Sequence, residues 1–371
     1  MNIQKIKSQE VKVSSKLSEA YALPARYYID PEILQEEMEK IFSQTWQFVG
    51  TVNQVEKPGD YFTCEVANER ILVVHGQDGV IRAFYNVCPH RGGRIAEGEG
   101  NRKILQCPYH GWTFGLEGSL NRAPGFQGVE NFDPQDFCLH SVRTAIQDAF
   151  IFVNLDPNAA PIENTVGSMF KDLKHYQLGK LKKVRTINYT IKANWKIVVD
   201  NFQECYHCPV AHPGLVSILD MPNYTTTTHE YYSYQQAPMK ITGMKKTFGD
   251  NGNMEEIEIQ EGLYHWLWPN MMLNLYPGSG NMSTNKVIPI DHETTLATYE
   301  FYFRDENLTK EQEDLIKFID EVQKEDIIIC EYVQQGYRSR AYNQGRFALN
   351  ENGVHLFHLL MQEALAGGNN Q

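Results

Sequence analysis

Asn194–Pro213, NWKIVVDNFQECYHCPVAHP, carries His207 and His212, with the carboxylate of Glu204 three residues before the first histidine. Imidazole suits iron, copper, zinc and nickel. Two histidines with one distant carboxylate, leaving coordination positions open, form the facial triad of non-haem Fe(II) oxygenases. Alone, the stretch supports two readings: part of a metal site, or two ordinary histidines near a helix end. A spacing of five does not put both rings on one face of a regular helix, as a spacing of four would. Pro209 is therefore expected to break the turn between them.

Working outward, FYNVCPHRGG (84–93) and CPYHGWTF (107–114) each hold one cysteine and one histidine: Cys88 and His90, then Cys107 and His110. Two cysteines and two histidines suit tetrahedral zinc or a Rieske [2Fe–2S] centre, in which the cysteines hold one iron and the histidines the other. Zinc fingers place the cysteine pair first and the histidine pair second. One of each per loop is the order a Rieske cluster needs. The surrounding glycines allow tight loops and close approach of the backbone to a cluster.

On these segments and NWKIVVDNFQECYHCPVAHPG (194–214), the chain resembles the oxygenase α-subunits of Rieske non-haem iron oxygenases, the ring-hydroxylating dioxygenase group. The resemblance runs from roughly Tyr28 to Ala348. DNFQECYHCPVAHPG and VQQGYRSRAYNQGR are most similar to the carnitine and choline monooxygenase branch, and Glu204 stands where the ring dioxygenases usually have Asp. The resemblance implies an α+β chain: an N-terminal all-β Rieske domain, then a catalytic domain whose antiparallel sheet wraps round a long helix (helix-grip, Bet v1-like). It implies Cys88, His90, Cys107 and His110 as [2Fe–2S] ligands, and His207, His212 and a helix Asp, matched to Asp326, as ligands of mononuclear Fe(II). Glu204 would bridge His207 to His90 or His110 of a neighbouring copy, which makes a homotrimer part of the mechanism. The implied reaction uses O2 and electrons from NAD(P)H, delivered by a separate flavin/iron–sulfur reductase, to hydroxylate or cleave a small quaternary ammonium substrate. Two alternatives stand beside it: ring hydroxylation of an aromatic acid on the same fold, and a non-catalytic Rieske electron carrier.

Composition bounds the rest. A net charge of −12 and a pI near 5.5 argue against nucleic acid as a partner. No apolar run approaches a membrane span, and the N-terminus lacks a signal-peptide core, so the expectation is a cytoplasmic protein. Of seven cysteines, two are assigned to the cluster. Cys64, Cys138, Cys205, Cys208 and Cys330 are expected as free thiols, although Cys205 and Cys208 have the C-x-x-C spacing of redox motifs.

Along the chain, three divisions are expected: 1–45, a tail and helix packing on the catalytic domain; 46–158, the Rieske domain; and 159–371, the catalytic domain. Residues 1 to about 20 read as a mobile tail. Asp30-Pro31 opens a helix to about Trp46 with an apolar stripe of Leu34, Met38, Ile41 and Phe42. QFVGTV, DYFTCEV, RILVVHG, IRAFYNV and FIFVNL read as strands between turn signals. His75 and His140 read as strand residues. In the third division, a helix near Val166–Tyr176 is followed by strands at VRTINYTIK, His229–Gln235, Glu255–Ile259, Tyr264–Trp268, Met271–Tyr276, Ser283–Pro289 and Thr294–Phe303. A helix over Lys310–Gln335 is capped by Thr309 with Gln312 at the capping-box position. On it, Asp326 shares an apolar face with Val322, Ile329 and Cys330, whereas Glu325 points about 100° away, toward a solvated face. Tyr264, Trp266 and Trp268 alternate and would share one face of a strand. Such a face attracts quaternary ammonium by cation–π interaction, and equally serves as sheet packing.

Overall fold

The computed structural model describes residues 11–240 and 259–367 and divides into two compact units, 38–164 and the rest. The boundaries fall at 37/38 and 164/165, not at 45/46 and 158/159. The strand expected over Glu255–Ile259 lies, apart from Ile259, outside the described residues, as do residues 1–10.

The first unit is all-β. One sheet contains β1 (Gln47–Thr51), β2 (Asp60–Val66), β3 (Glu69–His75), β4 (Ile81–Tyr85), β5 (Glu99–Asn101), β9 (Ser141–Gln147) and β10 (Phe150–Asn154), in the order β1-β10-β9-β4-β3-β2-β5. A small second sheet holds β6 (Leu105–Gln106), β7 (Thr113–Phe114) and β8 (Leu120–Arg122). The period of two in a strand sorts the buried run of β3 between two cores. Leu72 and Val74 join Cys88, Cys107, Trp112 and Phe114, while Ile71 and Val73 join Phe62, Ile151 and Val153. Strands β5 to β8 have only two or three residues each and escape pattern reading. His75 is held structurally, its Nδ1 lying 2.7 Å from the Val55 carbonyl.

The second unit wraps a seven-stranded antiparallel sheet round a long helix. Its strands are β11 (Lys182–Ile191), β12 (Thr225–Thr228), β13 (Tyr232–Ala237), β14 (Gly262–Leu267), β15 (Met271–Tyr276), β16 (Asn281–Asp291) and β17 (Thr294–Phe303), in the order β11-β17-β16-β15-β14-β13-β12. Among the described residues the α-helices, in chain order, are α1 (Pro31–Glu37), α2 (Glu163–Val166), α3 (Met169–Leu173), α4 (Trp195–Phe202), α5 (Cys208–Ala211), α6 (Pro213–Ile218), α7 (Lys310–Tyr337) and α8 (Asn352–Leu365). Thr309 and Gln312 close the capping box at the start of α7, satisfying two of its orphan N–H groups. Strand β12 and helix α8 carry no element in the sequence reading.

The helix begun at Pro31 does not run regularly to Trp46. After Glu37 it widens into a π-turn over Met38–Phe42, where the Ser43 N–H reaches the Met38 carbonyl at 3.1 Å. The inserted residue rephases the helix, so Ile33, Glu37, Ile41 and Phe42 are buried while Leu34 and Met38 are half-buried. Residues 11–20 are not a loose tail. The Val13 N–H donates to Gln362 Oε1 at 2.8 Å, and Arg346 binds the Ala20 carbonyl at 3.0 Å.

Glu37 lies fully buried against Lys196 of α4, with Oε1 2.6 Å from Nζ, and its Oε2 accepts from Trp195 Nε1 at 2.7 Å. Burial pushes the Glu37 carboxyl up and the Lys196 ammonium down, opposed in both by their mutual attraction. Removing one partner strands the other charge, at a cost of about 3–5 kcal/mol. Glu37→Ala should therefore lower the calorimetric melting temperature of this unit by several degrees. Joint Glu37→Met and Lys196→Met should lower it less than the single change.

Candidate functional site

Two groups of donors stand out, one in each unit. In the all-β unit, the two Cys/His loops share one backbone design. In Cys88–Gly93, the Cys88 N–H donates to the Gly93 carbonyl and the Gly92 N–H returns to the Cys88 carbonyl, at 2.7 and 2.9 Å. In Cys107–Trp112, the Cys107 N–H donates to the Trp112 carbonyl and the Gly111 N–H returns to the Cys107 carbonyl, at 2.8 and 3.1 Å. Both returns need a left-handed residue, supplied by Gly92 (φ 70°) and Gly111 (φ 72°). Cys88 and Cys107 point into the core, whereas His90 is half-buried and His110 exposed. The imidazoles lie edge to face with centroids 4.7 Å apart, and His90 stacks on Trp112.

Three observations fit a Cys2His2 iron–sulfur cluster here. A Cβ on Gly93 would come 3.0 Å from Cys107 Sγ, so the loops leave no room for a side chain at that point. Trp112 Nε1 is a buried donor without a partner, as an environment built for acceptor sulfides would leave it. Burial, together with His110 and Arg91, holds His90 below its usual pKa, favouring the neutral ring that ligation needs.

In the second unit, α4 ends at Phe202 and the chain turns through 203–207 into α5. His207 and His212 flank this single turn as its caps, with Pro209 inside its first positions. Pro209 thus opens a one-turn helix rather than breaking one. From across the sequence, α7 brings Asp326. His207 Nε2 and His212 Nε2 are 3.2 Å apart, and Asp326 Oδ1 lies 2.9 Å from the second and 3.4 Å from the first. Donors about 2.1 Å from one ion are separated by about 3.0–3.4 Å, so the triangle is of a size to hold a single ion. Asp326 is held below its ordinary pKa by both histidines against the opposing effect of burial.

Each ring is fixed from behind. His207 Nδ1 meets Glu204 Oε1 at 2.5 Å, and His212 Nδ1 meets Glu325 Oε2 at 2.7 Å. Carboxylate on Nδ1–H leaves Nε2 free to ligate. Burial alone would depress His207, but Asp326 and Glu204 outweigh it and raise the ring to about 9; His212 is raised in the same way. An ion, which binds the neutral ring, competes with this proton on His207. Glu325 does not simply face solvent, contrary to the helical-wheel reading. Its half-exposed side chain reaches sideways to His212. Asp314 pairs with Lys317, and Asp320 with Lys324 and Tyr189, so neither competes with Asp326.

The cysteine expectation is corrected. Cys205 and Cys208 form a disulfide across the same turn, their Cα atoms 5.0 Å apart. The turn that presents His207 brings the two thiols together. Cys208 Sγ lies 3.8 Å from His207 Nε2, but it is spent in this bond, which leaves Asp326 as the anionic donor. Cys64, Cys138 and Cys330 take part in no disulfide.

A cavity of about 620 Å³ opens from the triangle along the concave face of the sheet, with α7 as its opposite wall. Of the three alternating aromatics, only Tyr264 lines it. Trp266 is fully buried against Phe357 of α8, and Trp268 packs on the same ring beyond the end of β14. The aromatic walls come from Tyr224, Tyr264, Tyr276 and Tyr299, on four different segments, with Phe202 of α4 and Phe318 of α7. Tyr276 and Tyr299 sit in runs where period two placed them on a sheet face, but which face could not be read without the neighbouring strands.

Comparison with known proteins agrees with both halves. Residues 45–133 match the Rieske [2Fe-2S] domain family, and 178–367 match the Ring hydroxylating alpha subunit (catalytic domain) family. The chain is 37% identical to the carnitine monooxygenase oxygenase subunit of Escherichia coli (strain K12), covering 93% of this chain and 94% of that protein. It is 33% identical to the chloroplastic choline monooxygenase of Arabidopsis thaliana, covering 94% and 84%. The structure of the quaternary ammonium Rieske monooxygenase CntA with its substrate L-carnitine superposes with a TM-score of 0.84 at 33% identity, covering 96% and 99%.

Loss of a partner that orients a ligating histidine typically weakens metal affinity about 10–100-fold. Glu325→Gln should weaken iron binding within that range, measured by competition with a chromogenic chelator, with the visible absorbance of the cluster unchanged.

Proposed function

The chain belongs to the Rieske non-haem iron oxygenase α-subunits, and from that premise we propose that it is the oxygenase component of a quaternary ammonium monooxygenase. Proteins of this family carry a Rieske [2Fe–2S] cluster and a mononuclear iron and take electrons from a separate reductase. The observation that carries the reading is the Nε2–Nε2–Oδ1 triangle opening onto a tyrosine-lined cavity. When bound, the two metal centres supply electron storage and O2 activation; the protein supplies position, shape and electrostatics.

In this reading Cys88, His90, Cys107 and His110 hold the cluster, and His207, His212 and Asp326 hold the iron. Tyrosine faces favour a desolvated onium cation by cation–π attraction. The carboxylates of Asp326 and Glu204 add negative potential at the same end of the cavity, and the relatives oxidise carnitine and choline. Lys310 is the one lysine or arginine among the described lining residues, so an onium group beside the tyrosines meets little opposing charge. Imidazole ligation places cluster potentials at about −150 to +300 mV, within reach of a flavin/iron–sulfur reductase using NAD(P)H. A cytoplasmic setting supplies that reductant.

Glu204 takes the bridging role. Its Oε1 holds His207 Nδ1, while Oε2 accepts from the backbone N–H groups of Tyr206 and His207. A carboxylate has about four acceptor positions, leaving one for His90 or His110 of a neighbouring copy in a trimer. The structure of one quaternary ammonium Rieske monooxygenase, 32% identical with a TM-score of 0.83, gave insights into inter-subunit electron transfer.

Three measurements test this. With a matched reductase, carnitine or choline should drive NADH oxidation coupled to oxygenated product; activity confined to aromatic acids would overturn the substrate class. Asp326→Ala should halve neither sulfide nor cluster absorbance but should remove the mononuclear iron, read by metal analysis. Glu204→Gln should retain both metals yet lose most turnover, because an amide offers two acceptor positions where the carboxylate offers about four. In rapid mixing with substrate and O2, its reduced cluster should reoxidise far more slowly than wild type.

A further inference from the structure

His207, Cys208 and His212 each offer a donor atom within 4.8 Å of the other two. The triangle described above draws on the two imidazoles and Asp326. Cys208 stands beside it, with Sγ 3.8 Å from His207 Nε2. A nitrogen about 2.1 Å and a sulfur about 2.3 Å from one tetrahedral ion are separated by about 3.6 Å. The sulfur is therefore already near the spacing of a fellow ligand of His207. What withholds it is the bond to Cys205. A disulfide sulfur has no charge to offer an ion, whereas a thiolate is a strong, soft ligand.

The bond lies on a short turn whose Tyr206 and Val210 are exposed, and both cysteines line the cavity. Cys205 is half-buried and Cys208 only 4% exposed, so an incoming thiolate meets Cys205 Sγ first. Attack there breaks the S–S bond, joins Cys205 to the attacking sulfur and releases Cys208 as a thiolate, the form that ligates. With a dithiol as reductant, its second thiol then displaces Cys205. The dithiol gives up two electrons and becomes a disulfide, and both protein sulfurs are reduced.

Release of Cys208 alters what the site can hold. His207, His212 and Asp326 are three donors and leave coordination positions open. With Cys208 they make four, the number that closes a tetrahedral zinc site. A thiolate also moves preference toward zinc and away from a hard-donor Fe(II) site. Resting on the metal reading above, we propose that the Cys205–Cys208 bond is a redox gate on metal choice: oxidised, it keeps the site an open triangle for Fe(II); reduced by a dithiol, it admits Cys208 as a fourth ligand and the site takes zinc.

The test uses cluster-loaded protein from which a chelator has removed the mononuclear ion. Oxidised wild type is compared with Cys205→Ser, which leaves the Cys208 thiol in place, and with joint Cys205→Ser and Cys208→Ser. Competition with chromogenic chelators gives the zinc and Fe(II) affinities. Added Co(II), read as a difference spectrum, reports thiolate ligation through its charge-transfer band in the near ultraviolet. Cys205→Ser should raise the ratio of zinc to Fe(II) affinity by about tenfold or more over wild type and should show the band. The joint variant should lack the band and return to the wild-type ratio, which separates ligation by Cys208 from mere loosening of the turn. Wild type reduced with a trialkylphosphine, which takes oxygen from water as the phosphine oxide while two thiols form, should behave as Cys205→Ser does, and decides the matter where that variant fails to fold. Reduced protein with no band, or with an unchanged ratio, overturns the gate while leaving the triangle intact. Failure of oxidised wild type to bind any of the three ions overturns the metal reading, and this inference with it.

Discussion

The contact of His212 Nε2 with Asp326 Oδ1, 2.9 Å across a sequence separation of 114 residues, constrains the catalytic unit more than any other. To make it, the loop after α4 and the middle of α7 must meet at one point. The sheet that wraps α7 then leaves a hollow beside that point. Two imidazoles and a largely buried carboxylate converge there, and their mutual attraction raises both rings and lowers the carboxyl against burial. Glu204 and Glu325 make the arrangement tenable by taking the outward nitrogens. The consequence is a fixed tautomer for each ring and an Nε2 triangle that points one way.

The hollow follows from the same constraint. A sheet packed directly on a helix buries aliphatic side chains on its inner face. Here that face instead carries Gln235, Asn274, Ser283 and Asn285 among tyrosines. Ser283 links Asn274 to Asn285, and Gln235 pairs with the Tyr224 hydroxyl and the Phe202 carbonyl; ligand cavities carry a few such placed polar groups. Aliphatic packing is displaced to the ends: Trp266 and Trp268 close on Phe357 of α8. The buried Glu37–Lys196 pair fastens α1 to α4, the helix that leads into the ligand loop.

The all-β unit obeys a more local rule. Each Cys/His loop closes on itself through the same two backbone bonds, so its shape depends on a few neighbouring residues and one left-handed glycine. The core beneath, where Leu72, Val74, Trp112 and Phe114 meet both cysteines, sets only how the loops face each other. No helix among the described residues is long and apolar enough to cross a membrane.

What the sequence determined by itself is what short range can encode. The Cys/His loops, the His207–His212 turn, the cap at Thr309 and the strong strands of both units were legible because their chemistry lies within a few residues. Asp326 was legible only with the help of resemblance, since four acidic residues of α7 offered the same chemistry. Tertiary structure decided what depends on which face meets which neighbour. It turned Glu325 toward His212, joined Cys205 to Cys208, buried Trp266 and Trp268, and gathered four tyrosines from four segments. Periodicity tells which side chains share a face, but only packing tells whether that face meets a core, an ion or a cavity.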